Sequence, residues 1–356
     1  MRIPFVALLI VPHFALAQTT QPAERETALS DIVQLTSGFA RAGESYFSPD
    51  MKWIVFQASK ERDAHYQMYV APLRWEGDRI TGITSPIRIS PDDSRNTCGY
   101  FSPDGKSILF GSTAGKEKPD EPTGGYKREG RSYTWSFPAG MEIFRNDDWR
   151  LRIDGLDSAH RVNLATKALT DNDVYDAECA FSPDGKWICF TRGAGKDADI
   201  YVMRADSSRA VKVIGAAGYD GGPFFSPDGK RLVYRSDRKG NDLLQIFVAD
   251  LAFDDAGNIT GMKGERQLTN DNNVNWGPYW HPGGKQIVYA TSAHGHQNYE
   301  LYLMRDDGTQ PTRITYKDGA DVLPTFSPDG KWLMWTSKRT PDSTTQVFAA
   351  RFKVPD

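Results

Sequence analysis

Few residues of this sequence have the type and spacing that chemistry requires. His294 and His296 form a His-x-His pair, and with His65 they make a candidate metal-ligating set. The alternative is that these loop histidines are only solvated, and we predict no metal site. The sequence contains no Gly-x-Ser-x-Gly nucleophile motif, no glycine-rich phosphate loop and no Cys-x-x-Cys pair. It therefore indicates no catalytic residue and no cofactor.

The chain is organised by a short repeat, Phe-Ser-Pro-Asp-Gly-Lys. Unchanged copies begin at Phe101, Phe181, Phe225 and Phe326, and degraded copies begin at Phe47 and Trp280. Most copies start about fifty residues apart, which is typical of a β-propeller built from four-stranded blades. Each copy predicts a hairpin turn, because Pro favours the first turn position and Gly the left-handed one.

A second recurring pattern marks the third strand of each blade. It reads polar, aliphatic, aromatic, and it begins at Gln67, Glu142, Asp199, Gln245, Glu300 and Gln346. Five fourth strands follow these third strands, whereas the last repeat ends after its third. Residues 31–36 have the fourth-strand pattern and precede the first hairpin, so they can close the ring and cover its open edge. We predict an all-β, six-bladed propeller of antiparallel blades over residues 31–356.

The beginning of the chain predicts an exported protein. Arg2, an apolar core over residues 5–16 and a small-residue cleavage site at 15–17 make residues 1–17 a signal peptide. Residues 18–30 are polar and predict a flexible lead. The apolar run is too short to span a membrane, so no membrane insertion is expected. The net charge of −3 gives no basic face for nucleic acid.

The repeat resembles that of the TolB-type β-propeller family. The shared pattern is Leu-Thr, then Asp-x-x-Pro-x-Phe-Ser-Pro-Asp-Gly-Lys, then Ile-Tyr, and it covers residues 31–353. The resemblance implies a non-catalytic binding or scaffold module, periplasmic or secreted, with an envelope protein or glycan as its partner. A monomer is expected. Only about a dozen residues stand where TolB itself carries a separate amino-terminal domain.

The same kind of propeller offers an alternative function. Some propeller lyases that act on uronate oligosaccharides hold a metal with histidines. By that resemblance, His65, His294 and His296 would hold the metal of a polysaccharide lyase. Elemental analysis for a bound metal separates this alternative from a binding module.

A ring of polar residues is predicted on one face of the propeller. We call this the top face; it carries the loops leading into the first strands and the loops between second and third strands. Counting five residues back from each repeat aromatic gives the Asx ring: Asn96, Asp176, Asp220, Asn275 and Asp321. First strands line the axis, so these side chains are expected to crowd the funnel mouth and bind a cation or polar ligand. The alternative is that each caps the turn leading into its strand.

One loop of the top face is much longer than the others. Residues 112–141 are inserted in blade two between its second and third strands, and they contain Tyr126, Tyr133 and Trp135. Long loops with aromatic residues are often binding elements, so these three are predicted to grip the partner together with the Asx ring. The alternative is that the aromatic side chains, Phe137 among them, fold down and plug the blade.

The cysteines leave two alternatives open. A three-residue loop, 183–185, pairs Cys179 with Cys189 across the hairpin at about 4.5 Å between Cα atoms, within disulfide reach. Either this pair is oxidised or it remains two buried thiols. Cys98 stays unpaired in both cases.

Overall fold

The computed structural model describes residues 26–355 apart from 62, 64, 117–124, 130, 131, 195 and 196. For residues 125–129 and 132–136 it describes the backbone. The signal peptide predicted at residues 1–17 lies outside the described residues, as does most of the lead. These boundaries stay predictions.

Six small antiparallel sheets stand in a ring, so the predicted six-bladed propeller is confirmed. The inner strand of each blade ends at the repeat aromatic. The inner strands of blades one to six are Arg41–Phe47, Asn96–Phe101, Tyr175–Phe181, Asp220–Phe225, Asn275–Trp280 and Asp321–Phe326.

The second and third strands continue each blade outward from the axis. The second strands are Trp53–Ser59, Ile108–Ser112, Trp187–Ala194, Arg231–Ser236, Gln286–Thr291 and Trp332–Ser337. The third strands are Gln67–Glu76, Glu142–Asn146, Asp197–Arg204, Gln245–Phe253, Glu300–Arg305 and Gln346–Phe352. Five of the six third strands start at the polar position that the sequence pattern predicts. The third strand of blade three starts two residues earlier than predicted, at Asp197.

The outer strands are the least regular part of the blades. In blades one, three, four and five they are Arg79–Ile83 with Ile87–Arg88, Ala210–Ile214, Ile259–Gln267 and Thr312–Arg313. Blade two has a single bridge between Phe144 and Ala168 at this place, next to a helix, Trp149–Ile153. A hairpin of Gly125–Glu129 and Ser132–Ser136 occupies the insertion of the same blade.

The second strands form the core because neighbouring blades cover both of their faces. Their consecutive apolar residues are therefore buried rather than alternating with polar ones. Phe56, Phe110, Phe190, Tyr234 and Trp335 occupy equivalent positions and are all fully buried. Each packs within its own blade on an aromatic of the third strand, as Trp335 does on Phe348 at 6.1 Å between ring centroids.

Each Ser-Pro-Asp-Gly segment forms the predicted turn. In blade three the hydroxyl of Ser182 donates to Asp184 at 2.6 Å and accepts from the amide of Trp187 at 2.9 Å. Gly185 takes the left-handed conformation with φ of 70°. In blade two, hydrogen bonds from Ser102 and the Lys106 amide lower the pKa of Asp104. The hairpin aspartates are therefore turn residues.

The predicted cysteine register is wrong by one residue. The amide of Ser182 donates to the carbonyl of Trp187 at 2.8 Å, so the loop includes Lys186 and Cys189 pairs with Ala180 instead of Cys179. All three cysteines are buried and free. Burial raises the pKa of the Cys179 and Cys189 thiols, which disfavours reactive thiolates.

An amino-terminal strand closes the ring, as the sequence predicts. Leu29–Gln34 pairs with Gln346–Phe352, with Leu29 opposite Phe352. The predicted flexible lead is corrected at its end, because the strand starts at Leu29 and Glu26 is also fixed. The carboxylate of Glu26 accepts from Arg339 at 3.0 and 3.1 Å and from the amide of Tyr316 at 3.0 Å.

Every inner strand carries a β-bulge three residues before the repeat aromatic. The pairing register shifts there in all six blades. The residue at this place has a positive φ between 44° and 60° in every blade. We call these residues the bulge ring: Glu44, Cys98, Glu178, Gly222, Gly277 and Leu323.

Candidate binding funnel

A central cavity of about 540 Å³ lies on the propeller axis. All six residues of the bulge ring line it. Its upper wall comes from starts of inner strands and from loops between second and third strands, such as Arg41, Tyr66 and Arg95. These segments belong to the top face, so the cavity is a funnel that opens there.

The floor of the funnel is aromatic. Tyr46, Tyr100, Phe224 and Tyr279 each stand one residue before a repeat aromatic, in blades one, two, four and five. Tyr46 and Phe224 come from opposite blades, yet their ring centroids are 5.9 Å apart. The hydroxyls of Tyr100 and Tyr279 lie 3.2 Å from each other. The four rings therefore meet at the axis and fill it below the bulge ring.

Glu178 is the centre of a buried polar cluster on one wall. Its carboxylate accepts from the Tyr219 hydroxyl at 2.8 and 2.9 Å, from Thr191 at 2.7 Å and from the Gly222 amide at 2.7 Å. It also pairs with Arg235 at 3.0 Å. Burial lowers the pKa of Arg235, but Tyr219 and Glu178 raise it more, so the guanidinium stays charged.

Glu44 is the second carboxylate of the funnel. Burial raises its pKa, the thiol of Cys98 opposes the rise by hydrogen bonding, and the charge of Glu178 adds to it. The backbone amide of Glu44 donates to Thr336 of the neighbouring blade at 2.9 Å, which fixes the bulge in place. The side chain thus presents a carboxyl group that takes a proton more readily than an exposed glutamate.

Three buried polar atoms of the funnel have no hydrogen-bond partner among the described residues. They are Gln57 Oε1, Arg235 Nε and Trp276 Nε1, and all three residues line the cavity. Gln57 and Arg235 are only 8% and 7% exposed. Since an unpaired buried polar group costs about 1–3 kcal/mol, water or a ligand is expected to supply the missing partners here.

A second cavity of about 520 Å³ adjoins the funnel. The two share Gln57, Tyr66, Trp276 and Leu323. Much of the remaining lining is apolar or aromatic, including Leu244, Val274, Tyr299, Ala320 and Val322. We call this cavity the side groove; it extends from the funnel toward blades four, five and six.

The structure corrects the expected placement of the Asx ring. All five residues are buried, and of the five only Asn96 lines the funnel. The carboxylates form ion pairs instead: Asp176 with Arg192 at 2.7 Å, Asp220 with Arg238 at 3.0 Å and Asp321 with Arg339 at 2.6 Å. The bulge is the physical reason, because one extra residue breaks the alternation of faces between the strand start and the axis.

The two asparagines of the Asx ring join neighbouring blades. Asn96 donates to Gln67 of the preceding blade at 3.1 Å, and Asn275 donates to Gln245 at the same distance. Asp220 accepts from the amide of Ala216 at 2.8 Å, as the turn-capping alternative expects. The contacts of the Asx ring are those of a structural element, and its part in ligand binding stays a prediction.

The insertion of blade two is fastened near both ends to blade three and to the start of blade four. Phe137 stacks on Tyr219 at 5.6 Å between centroids and contacts Tyr175 at 5.0 Å. Lys116 forms an ion pair with Asp171 at 2.6 Å. Phe137 therefore covers part of the funnel wall, as the plug alternative expects.

The aromatic residues predicted to grip the partner lie farther along the insertion. In the backbone register of its hairpin, Trp135 is opposite Tyr126, and Tyr133 is opposite Arg128. Their side chains lie outside the described part of the structure. Their role in binding stays a prediction.

The three candidate metal-ligating histidines have different surroundings. His65 lines the funnel, His296 lines the side groove, and His294 contacts the hydroxyl of Tyr302 at 2.8 Å. In the described part of the chain, no group of three His, Cys, Asp or Glu residues has an arrangement that could hold a metal ion. The described residues thus add no support to the metal-dependent lyase alternative.

The family follows from the repeat. A family model described as the TolB beta propeller domain matches residues 162–269 and 258–354, which together exceed half of the chain. The chain belongs to the TolB beta propeller domain family. The resemblance predicted from the sequence is therefore confirmed.

Relatives of this TolB-type propeller match it over part of their length. The Tol-Pal system protein TolB of Francisella tularensis subsp. holarctica (strain OSU18) is 24% identical over 178 residues. These cover 50% of this chain and 38% of the relative, so the chain matches less than half the length of that protein.

Solved structures show the same fold at low identity. The putative TolB from Agrobacterium tumefaciens has a TM-score of 0.55 and 19% identity over 88% of this chain and 91% of its own. The Cps50 propeller of Myceliophteria thermophila has a TM-score of 0.52 and 12% identity, covering 90% and 98%. Within the described residues, we find no helix with the length and apolarity that crossing a membrane requires.

The bulge ring was missed in the sequence. Its signal is a position, three residues before the repeat aromatic, where residue types change from blade to blade while the flanking pattern repeats. Glu44 and Glu178 at this position are acidic, whereas Gly222 and Gly277 have no side chain. At such a position the backbone is the same in every blade while the side chain differs, so the side chain can be adapted to a ligand without altering the blade.

Proposed function

We propose that this protein is an exported propeller of the cell envelope that binds a segment of a partner protein in its top-face funnel. The observation that carries the proposal is a set of three buried polar atoms in the funnel, Gln57 Oε1, Arg235 Nε and Trp276 Nε1, which have no hydrogen-bond partner among the residues that the structure describes. Buried polar groups are nearly always paired in folded proteins, so their partners are expected from a bound molecule.

The chemistry of the funnel favours binding over catalysis. The carboxylate of Glu178 already accepts hydrogen bonds from three residues and pairs with Arg235, which fixes it as an acceptor within the wall. The aromatic floor and walls offer rigid surface of the kind that anchors protein partners. The family name and the signal peptide predicted at residues 1–17 both support a periplasmic or secreted location. We expect the protein to act as a monomer.

The insertion of blade two is expected to complete the binding surface. Its ends are fastened by Lys116 and Phe137, so the segment between them can be replaced without disturbing these contacts. Replacing residues 118–135 by a short Gly-Ser bridge should leave the fold intact and remove binding. Conformational entropy of the loop makes its ordering costly, about 1–2 kcal/mol per residue, unless its side chains are buried on the propeller or a partner.

A pull-down from envelope extract tests the proposal. The unchanged chain, the bridged variant and Lys186→Ala are compared, and each is checked by thermal unfolding. Lys186 is exposed in a hairpin turn on the opposite face, so its variant is the control. The unchanged chain and the control should capture the same protein, and the bridged variant should not. Capture of that protein by the bridged variant, or capture of a glycan alone, would contradict the proposal.

A further inference from the structure

We propose that the funnel binds a carboxylate group of a peptide and that the adjoining side groove holds a neighbouring apolar side chain. The inference rests on the proposed function and specifies the chemistry of the segment. The carboxylate belongs either to a chain terminus or to an acidic side chain of the partner.

The unpaired donors of the funnel define the complementary group. Arg235 Nε and Trp276 Nε1 are N–H groups that can only donate, so the ligand must supply an acceptor. The two lie on neighbouring blades, four and five, with the guanidinium carbon of Arg235 5.8 Å from the ring centre of Trp276. Charged acceptors make stronger hydrogen bonds to a guanidinium than neutral ones do, and a carboxylate is the charged acceptor that an unmodified peptide carries.

Gln57 fits the same group. Its Oε1 is buried without a partner among the described residues, and the orientation of an amide is set by the hydrogen bonds around it. Turned about its last torsion angle, Gln57 directs its NH₂ group to the place where Oε1 now lies. It then adds a third donor to those of Arg235 and Trp276.

The charge of the lining also favours an anion. Three arginines, Arg41, Arg95 and Arg235, face the cavity together with two glutamates, Glu44 and Glu178. Glu178 is occupied by its hydrogen bonds and its ion pair. Arg41 is exposed at the rim, where a positive charge attracts an approaching carboxylate. Among the described lining residues, Glu44 is the glutamate without an ion pair, and its charge opposes the binding of an anion.

The side groove indicates a peptide in preference to an acidic saccharide. It meets the funnel at Trp276, directly beside the unpaired donors. Leu244, Val274 and Val322 in its lining complement an apolar side chain, whereas sugar hydroxyls would lose hydrogen bonds against them. A peptide that carries a carboxylate next to a leucine-like side chain matches both cavities.

The test is calorimetric binding of four probes to the full chain. They are acetyl-Gly-Ala-Leu-Leu with a free carboxylate, its carboxamide, acetyl-Gly-Leu-Asp-Leu carboxamide and trigalacturonate. At least one of the two peptides with a carboxylate should bind about tenfold tighter than the plain carboxamide, as expected for charge-assisted hydrogen bonds. Whichever of these two peptides binds more tightly shows whether the site prefers a carboxylate at the chain terminus or one on a side chain.

Two variants locate the binding group. Trp276→Phe removes one donor and keeps the ring, so it should weaken the carboxylate peptide about tenfold and leave the carboxamide unchanged. Trp75→Phe is the control, because Trp75 Nε1 donates to the Met51 carbonyl at 3.1 Å in the outer part of blade one. Glu44→Gln should tighten binding several-fold, since it removes the opposing charge. Thermal unfolding verifies that each variant is folded.

Several results would overturn the inference. Equal affinity for acid and carboxamide, tighter binding of trigalacturonate than of both acidic peptides, or no binding of any probe at millimolar concentration each exclude a peptide carboxylate site. Weaker binding of both acidic peptides to Glu44→Gln than to the unchanged chain would show that Glu44 supports the bound group, which contradicts a carboxylate placed beside it. Any of these results can occur while the bridged variant still fails to capture the partner. In that case the partner binds at the top face, as the proposed function states, but it does not bind through a carboxylate.

Discussion

Two rings of residues lie two positions apart on the inner strands, the bulge ring in all six blades and the Asx ring in blades two to six, and they behave differently. The Asx ring repeats its residue type from blade two to blade six, and all of its members are buried against blade partners. The bulge ring repeats its backbone, with a positive φ in every blade, but its side chains range from glutamate to glycine. All members of the bulge ring line the funnel, whereas one member of the Asx ring does.

The difference shows how a propeller separates stability from recognition. A repeated residue with a repeated buried partner, such as Asp321 with Arg339, serves the blade itself. A repeated conformation with changing side chains, such as the bulges at Glu44 and Leu323, gives the funnel a surface that varies without altering the blade. Variants of the first ring should therefore lose stability, and variants of the second should change binding.

Asp321→Ala should give the largest loss of stability. Its carboxylate is buried, pairs with Arg339 at 2.6 Å and accepts from Trp335 Nε1 at 3.0 Å. Removing one partner of a buried ion pair costs about 3–5 kcal/mol, because the other charge is left without compensation. The free energy of unfolding in urea measures this. A loss below about 1 kcal/mol would show that Glu26, the second partner of Arg339, replaces Asp321.

Glu300→Gln should change how stability depends on pH. Burial raises the pKa of Glu300 from 4.5 to about 7, although Thr315 and Arg313 oppose the rise. The folded state therefore holds a proton that the unfolded state has lost, and stability falls as pH increases from about 4.5 to about 7. Glutamine occupies the equivalent position in blades one, four and six, so the variant should fold.

Thermal unfolding of both chains between pH 4.5 and 8 checks this expectation. The melting temperature of the unchanged chain should fall relative to that of Glu300→Gln as the pH rises. The difference isolates Glu300 from other titrating groups. Parallel curves would show that Glu300 has the same proton affinity in both states.

Leu323→Gly should have a small effect on stability. Leucine at φ of 52° is strained by about 1–2 kcal/mol, and glycine relieves this, while the loss of a half-buried side chain opposes the gain. Blades four and five already have Gly222 and Gly277 at this position. We expect a change within about 1 kcal/mol in urea unfolding. A loss as large as that of Asp321→Ala would abolish the distinction between the two rings.

Adding a reductant should not change the stability of the protein, because all three cysteines are free thiols. Cys98 belongs to the bulge ring, and Cys189 is paired with Ala180 in the blade register. Thiol titration of the unfolded, non-reduced protein should find three free thiols. One free thiol would mean that Cys179 and Cys189 are joined and that the bulge at Glu178 is misplaced.

Much of the fold could be predicted from the sequence because the repeat encodes it locally. Pro183 and Gly185 specify the turn, and the fourth-strand pattern at residues 31–36 revealed the closing strand. The hairpin register was missed because the side chain of Asp184 accepts from the amide of Lys186 at 3.1 Å and includes that residue in the loop.

The candidate site was harder to predict. A left-handed bulge is expected at glycine or asparagine, but glutamate, cysteine and leucine adopt it here, held by contacts with neighbouring blades such as Glu44 with Thr336. Without the bulge, the alternation of a regular strand would put the strand start and the axis-facing position on one face. The Asx ring was therefore placed at the funnel, and Arg235 and Trp276 were overlooked because neither residue belongs to the repeat pattern.

Site-specific photocrosslinking tests most directly whether the top-face funnel is the binding site. A photoreactive phenylalanine analogue replaces Gln297, which is exposed at the side groove, or Lys186 on the opposite face. Irradiation of the cells should join the Gln297 variant to one envelope protein, and the Lys186 variant to none. An adduct from Lys186 without one from Gln297 would contradict the account and move recognition to the opposite face.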